Sequence, residues 1–455
     1  MFKRVKSRMK NEFKISILLA SVLLFLTVSN SFSANFNPIK FVRDSLPNGL
    51  QIIYTVDKTA PVISTILHYR GGSRDEVKGK TGYAHFFEHL MFEATRDIPR
   101  ATIDKMVQEA GGKLNAHTSW DETVFFFQLP ANQLKLPLWI ESQRMRMLKI
   151  DSVGVATQKG VVREELKMRT LNQPYGTLIQ KISENMFPGS TYGWATVGFD
   201  EDLEKATIDD FKQFYDKYYQ PNNACLVIAG DFNIDTAKKY VRQYFGAYQK
   251  AKESEHIGYQ TNPLEKDYNE TIKDTKAQVP AVFIGFRGPM LAEPDYYPVS
   301  LFMDIISSGE SSRLNQRLVE KDRIAVNAAG IQLSLQYTGA LILIGIGFPD
   351  KDIKDVEETL LDEVNEVISD GITDEELQKA KNIKESQFVG DKKNVLPKAE
   401  SLAQYFSYYG NPSLINSQID NYLSVTKEQV IKAAKKYFSS AKKVVLTYIP
   451  DNGTK

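Results

Sequence analysis

Apolar positions along the chain follow two periods. Short alternating or β-branched runs mark strands: Phe41-Val42 and Leu50-Gln51-Ile52-Ile53-Tyr54 flank the turn Pro47-Asn48-Gly49 and predict a hairpin, while Val62 to Tyr69 and Val124 to Leu129 predict further strands. Helical spacing covers Gly82 to Thr95, Thr102 to Ala110, Leu134 to Met147, Gly154 to Arg169 and Tyr175 to Met186. Strands and helices mix without strict alternation, which predicts an α+β fold rather than a doubly wound parallel sheet.

The pattern then repeats. Thr207-Ile208 opens a helix through Tyr218-Tyr219, followed by the strand Cys225 to Ala229. The same order returns at a shift of 219, where Thr426 opens a helix through Tyr437-Phe438 and Val444 to Ile449 follows. Ile66 to Gly71 returns as Phe283 to Gly288 at a shift of 217. Two nearly equal shifts predict two copies of one unit, and the period is far too long for a solenoid. The polar, Lys/Glu-rich stretch 249–268, with Gly258 and Pro263, reads as the linker. The expected architecture is two homologous α/β-sandwich-like units, residues 34–248 and 269–455, each a mixed sheet with helices on one face.

The N-terminus carries a different signal. Lys3, Arg4, Lys6, Arg8, Lys10 and Lys14 face only Glu12, and an apolar run follows from Ile15 to Val28. As a helix this run rises about 21 Å, short of the roughly 30 Å hydrocarbon core. Residues 1–33 therefore predict a cleaved secretory signal peptide, with an uncleaved anchor as the alternative. No spanning segment follows, so the expected location is beyond the inner membrane, in the periplasm. Formal net charge is +1 over 455 residues, which argues against a nucleic-acid partner. One cysteine, Cys225, excludes intramolecular disulfides and cysteine zinc clusters; its apolar strand places it in the core.

The sharpest chemical signal is His85-Phe86-Phe87-Glu88-His89, an H-x-x-E-H order. With 5 histidines in 455 residues, its chance expectation is about 0.003 per chain. On a helix His85 and His89 share one face and Glu88 adjoins it. Two neutral imidazoles suit zinc, and a nearby carboxylate can take a proton from a water that the metal acidifies. The bland reading is two histidines with a helix-face salt bridge. Catalytic zinc takes three protein ligands, and the remaining histidines are His68, His117 and His256, so a carboxylate is the expected third. Glu164 and Glu165 are the candidates. Glu165 recurs at helical spacing with Gln158, Val161, Val162 and Arg169 on an apolar face, while Glu164 sits at its edge, and Glu165 is favoured.

These residues, with the segment Gly111-Gly112-Lys113-Leu114-Asn115-Ala116 and a degenerate second copy, resemble the pitrilysin family, which includes insulin-degrading enzyme and the mitochondrial processing peptidases. The resemblance implies that His85, His89 and Glu165 bind one zinc ion, that Glu88 is the catalytic base, and that paired α+β units close as a clamshell. It implies that a peptide adds to the strand holding Asn115 and Ala116, where His117 reads more simply as a surface histidine. Many members keep a Glu seven residues before the third ligand to support the metal; this chain has Gln158. The family's second unit offers an Arg and a Tyr seven apart that hold substrate; here Val319 and Val326 stand at those places, and no H-x-x-E-H recurs near residues 302 to 304.

The expected function is thus an exported zinc-dependent endopeptidase acting on peptides or unfolded segments, with Glu88 as general base. The intact metal motif beside Val319 and Val326 implies the metal-bearing half of a heterodimer with a homologous, metal-free chain that carries the Arg/Tyr pair, or otherwise a homodimer. The competing reading is a non-catalytic peptide-binding or assembly subunit that retains a metal site.

Overall fold

Two sheets organise the chain. The computed structural model describes residues 37–439 and 441–451; the signal segment predicted over residues 1–33 lies outside them. Among the described residues the strands are β1 (Val42–Ser45), β2 (Gln51–Val56), β3 (Val62–Tyr69), β4 (Lys113–Thr118), β5 (Thr123–Pro130) and β6 (Ala224–Gly230), then β7 (Tyr268–Asp274), β8 (Ala281–Gly288), β9 (Ala325–Ser334), β10 (Gly339–Gly347) and β11 (Lys443–Pro450). The first sheet runs β1-β2-β6-β3-β5-β4 and the second β7-β11-β8-β10-β9. The β2/β6 and β7/β11 pairs are parallel and the others antiparallel. With β1 set aside as an added edge, the second sheet reproduces the first strand for strand.

Helices repeat as well. Helices α1 (Tyr83–Leu90) and α2 (Ile103–Glu109) join β3 to β4. From β5 to β6 run α3 (Lys135–Met147), α4 (Ser152–Thr170), α5 (Leu178–Met186), α6 (Asp200–Lys205) and α7 (Ile208–Tyr218), with α8 (Ile234–Phe245) after β6. In the second half α9 (Tyr296–Ser307) follows β8, and α10 (Ile353–Asp370), α11 (Asp374–Lys393), α12 (Val395–Tyr409), α13 (Leu414–Leu423) and α14 (Lys427–Ala434) lead from β10 to β11. The two sequence shifts agree in register: Ile66 pairs with Val227, and their shifted equivalents, Phe283 and Leu446, pair with each other. The echoed helices α7 and α14 even begin with the same device, a capping box on Thr207 and on Thr426.

Each sheet packs its own helices on one face. The opposite face is covered by a helix from the other half: α12 lies on β3 and β6, and α5 lies on β8 and β11. Ile182 and Met186 of α5 share a buried cluster with Phe283, Val444 and Leu446, and each such side chain contributes about 1.5–3 kcal/mol. Gly285 makes the approach possible, because a Cβ there would meet Ile182 Cδ1 and Met186 Cε. Its counterpart in the first sheet, His68, faces Tyr408 of α12. Lys398 of α12 also closes a mostly buried ion pair with Asp57. Residues 249–265 carry no helix or strand, yet His256 holds Asp75 and Asn223 at 3.0 and 3.1 Å. From Lys40 onward the chain is one compact unit.

Candidate metal centre

Helix α1 is fixed at its start by a buried carboxylate. Glu76 Oε2 accepts from the Gly82 N–H at 2.9 Å and the Trp194 indole N–H at 3.0 Å, and its Oε1 accepts from the Ala84 N–H at 2.8 Å. Two otherwise orphaned N–H groups of the helix terminus are thereby satisfied. Burial raises this carboxyl, and its three N–H donors pull it back toward the ionised form. Gly82 enters the helix at φ +79°, and a Cβ there would lie 2.6 Å from the Val197 carbonyl oxygen, so only glycine fits. Phe86 and Phe87 point into the core, where Phe86 stacks on Phe211 of α7 with centroids 4.3 Å apart and Phe87 packs on Tyr215 and Tyr219. That seating turns His85 and His89 toward α4.

The two imidazoles meet Glu165 there. Glu165 Oε2 lies 3.7 Å from His85 Nε2 and 3.2 Å from His89 Nε2, and the rings are nearly perpendicular with centroids 4.9 Å apart. Among the described residues this is the one group of three metal-ligating side chains whose donor atoms converge, all within 4.8 Å of one another. Tetrahedral ligands at about 2.0–2.1 Å from zinc sit about 3.3 Å apart, which the two carboxylate distances bracket. Arg169, one turn on, pairs with the other oxygen, Oε1. Burial, then the neighbouring His89, holds His85 below the usual imidazole range. A hydrogen bond from His89, aided by the charges of His85 and Arg169, holds the Glu165 carboxyl below the usual carboxylate range. These directions for His85 and Glu165, toward the neutral imidazole and the ionised carboxylate, are the ones a divalent cation requires. His85 Nδ1 is buried with no hydrogen-bond partner among the described residues, so packing and the Glu165 carboxylate orient that ring. Glu164 is exposed, as is Val161; the apolar face expected of this helix is narrower than its spacing predicts.

Glu88 faces β4. The Thr118 hydroxyl donates to Glu88 Oε2 at 2.6 Å, a charge-assisted bond that leaves Oε1 free. Burial raises the Glu88 carboxyl and the Thr118 bond partly offsets this. Strand β4 bonds only to β5 and ends the first sheet, so its outer edge presents unpaired backbone groups. Asn115 is exposed and Ala116 half-buried on that strand; the Ala116 N–H is met only by the Asn115 side chain at 2.9 Å.

Gln158 sits two turns before Glu165, and its amide donates to Glu93 at 2.7 Å rather than to a member of the His–His–Glu cluster. Glu93 is also held by Arg100. Val319 lies in a π-helical turn, Asn315–Lys321, against the core of the second half, and Val326, 49% exposed, is the second residue of β9. Neither can donate a hydrogen bond from its side chain. At the shift of 217, His85, Glu88 and His89 fall on Phe302, Ile305 and Ile306, all buried in α9. There α9 and α11 are joined by an ion pair, Asp304 to Lys384 at 2.8 Å. Sequence reasoning missed Glu76 and the Thr118 bond. Arg169 was visible as a cation four residues after Glu165 on one helix; no sequence signal marks Glu76.

Comparison with known proteins follows the same division. The family described as "Insulinase (Peptidase family M16)" matches residues 51–198, and "Peptidase M16 inactive domain" matches residues 205–384. The chain is 27% identical over 443 residues to the zinc protease PqqE of Helicobacter pylori, covering 95% of this chain and 98% of that one. It is 25% identical over 342 residues to an uncharacterized zinc protease, YmxG, of Bacillus subtilis, covering 74% and 81%. A solved protease structure from Helicobacter pylori superposes with a TM-score of 0.86 at 26% identity, covering 91% of this chain and all of that one. The first half of the periplasmic protease PqqL of Escherichia coli gives 0.73 at 18% identity, covering 92% and 95%, a likeness of fold. No described helix is long and apolar enough to cross a membrane.

Proposed function

The chain belongs to peptidase family M16, and from that premise we propose that it is a zinc-dependent endopeptidase acting on peptides or unfolded segments. The observation that carries the reading is the convergence of His85, His89 and Glu165 beside Glu88. His85, His89 and Glu165 would hold the ion, which supplies Lewis-acid polarisation of the scissile carbonyl and acidifies water. Glu88 takes the proton of the attacking water at Oε1, since Oε2 is engaged by Thr118, and returns it to the leaving amine. The free edge of β4 at Asn115 and Ala116 binds the peptide backbone as an added strand.

The basic N-terminus and the apolar run Ile15 to Val28 support export, to the periplasm. Val319 and Val326 support a division of labour in which a homologous metal-free chain supplies the Arg/Tyr pair and closes the cavity over the peptide. The same two valines favour a second reading, a peptide-binding or assembly subunit without catalysis. Zinc content, together with cleavage of a quenched peptide with and without a chelator and with and without the partner, separates these readings. Chelator-sensitive cleavage establishes the peptidase, and stoichiometric zinc with no cleavage in either assembly overturns it.

A further inference from the structure

Strand β4 is short and paired on one side, so its position depends on the turn that joins it to β5. Thr118 and Thr123 face each other across that hairpin, and the Ser119 N–H closes the turn onto the Glu122 carbonyl at 2.9 Å. The segment before α1 holds the turn from one side. Ser73 N–H donates to the Ser119 carbonyl at 3.2 Å and Arg74 N–H to the Trp120 carbonyl at 2.8 Å. The approach needs a glycine, because a Cβ on Gly72 would lie 2.4 Å from the Ser119 carbonyl oxygen. Two residues beyond Arg74 is Glu76, which anchors α1. The strand proposed to take peptide and the helix carrying Glu88 are thus tied to one stretch of chain.

The metal-free half holds the turn from the other side. The turn between β9 and β10, closed by Leu335 N–H to the Thr338 carbonyl at 2.8 Å, carries Gln336 and Tyr337. Gln336 N–H donates to Asp121 Oδ2 at 2.9 Å, its Oε1 accepts from Arg74 at 3.4 Å, and its Nε2 donates to the Tyr408 carbonyl of α12 at 3.3 Å. The Arg74 guanidinium lies over the Tyr337 ring, 4.8 Å from its centroid, and Arg74 Nε is 3.0 Å from Asp121 Oδ1. Arg74 and Asp121 are buried, and a buried ion pair depends on the groups that complete its hydrogen bonding. Gln336 is only half-buried and Tyr337 is exposed. Their side chains fill no core, yet they reach both the β4–β5 turn and the segment leading to α1.

We propose that Gln336 and Tyr337 are positioning residues: from the half without metal ligands they hold β4 in the register that accepts a peptide. The inference rests on the peptidase reading above. An edge strand fixed before binding spares the added peptide the cost of ordering it. The test is Gln336→Ala/Tyr337→Ala, which leaves the Gln336 N–H bond to Asp121 and the hairpin in place. Quenched-peptide cleavage by the zinc-loaded chain, in whichever assembly cleaves, should fall about tenfold in kcat/KM. Most of the change should lie in KM, because β4 grips ground state and transition state alike. Amides of β4 and its turn should exchange hydrogen faster, with zinc content and the urea midpoint unchanged. Restoring only the ring, in Gln336→Ala/Tyr337→Phe, should recover part of the loss. Unchanged kcat/KM, unchanged exchange in β4, or a loss that merely tracks zinc content or unfolding overturns the proposal. If wild type cleaves no peptide in any assembly, the peptidase reading fails, and fluorescence anisotropy of a labelled peptide takes the place of kinetics. Weaker binding by the double variant with faster β4 exchange then supports the positioning role; equal or absent binding overturns it.

Discussion

Replacing Glu76 by alanine tests how the metal helix is held. The carboxylate serves three buried donors, the backbone N–H groups of Gly82 and Ala84 and the indole N–H of Trp194. Alanine leaves all three without an acceptor in a site that is 3% exposed. An unsatisfied buried donor costs about 1–3 kcal/mol, so the loss is about 3–6 kcal/mol after partial relaxation. That is a large share of the roughly 5–15 kcal/mol that separates folded from unfolded chains. Glu76→Gln keeps one oxygen but turns an NH₂ toward an N–H, and should lose about half as much. Urea unfolding followed by tryptophan fluorescence, in chelator so that bound metal does not mask the effect, gives the difference from the midpoint and slope. Zinc affinity, measured by competition with a chromophoric chelator, should fall in the same order because α1 carries two of the proposed ligands. A Glu76→Ala midpoint equal to wild type would mean that the three donors find other partners and that the carboxylate does not anchor the helix.

Three other outcomes are expected. Glu88→Gln should keep near-stoichiometric zinc and lose most peptidase activity, while Glu165→Gln should lose both; zinc loss in the first variant, or retention in the second with loss in Glu164→Gln, would reverse the assignment, as read by metal analysis beside the peptide assay. The Asp57 carboxyl would be raised by burial, but Lys398 and Thr59 bring it down to about 2, below the unfolded value of about 3.9. Its stabilisation is therefore present above about pH 4 and lost as pH falls toward 2, and Asp57→Asn should lower stability at pH 7 and flatten that acid slope in unfolding experiments. Installing Val319→Arg together with Val326→Tyr should raise cleavage by the isolated chain without altering its zinc content; an isolated wild-type chain already as active as with a partner would remove the reason for the pair.

Much of this site was legible because helices convert spacing into proximity. His85 and His89 are four apart, and their rings end within 4.9 Å of each other. Glu165 was separable from Glu164 because one residue along a helix turns a side chain by about 100°, and the structure leaves Glu164 in solvent. What the chain order hides is pairing across long separations. Helical spacing announces α5, but spacing does not say which sheet a helix will cover, and both it and α12 cross to the other half. Glu76 is one acid among many until the fold brings Gly82, Ala84 and Trp194 around it. Gln158 is correctly placed by helix geometry, yet its partner Glu93 lies 65 residues away. The nearly equal shifts of 217 and 219 differ because loops between equivalent strands differ slightly in length, and the registers show them to be one relation.

The crossing of α5 and α12 bears on why a copy without metal chemistry persists. A duplicated segment released from its first task is ordinarily free to erode. Here erosion is checked by mechanics: deleting the second half would uncover Ile53, Ile66 and Val227, the side chains that α12 shelters on the first sheet, and deleting the first would strip α5 from Phe283 and Leu446. Neither copy can be discarded without leaving the survivor with a bare, aggregation-prone apolar face. Phe302, Ile305 and Ile306 stand buried at the positions equivalent to His85, Glu88 and His89 at no loss to this mutual cover. The same interlock means that a first half cut away within residues 249–265 is not a smaller version of this protein.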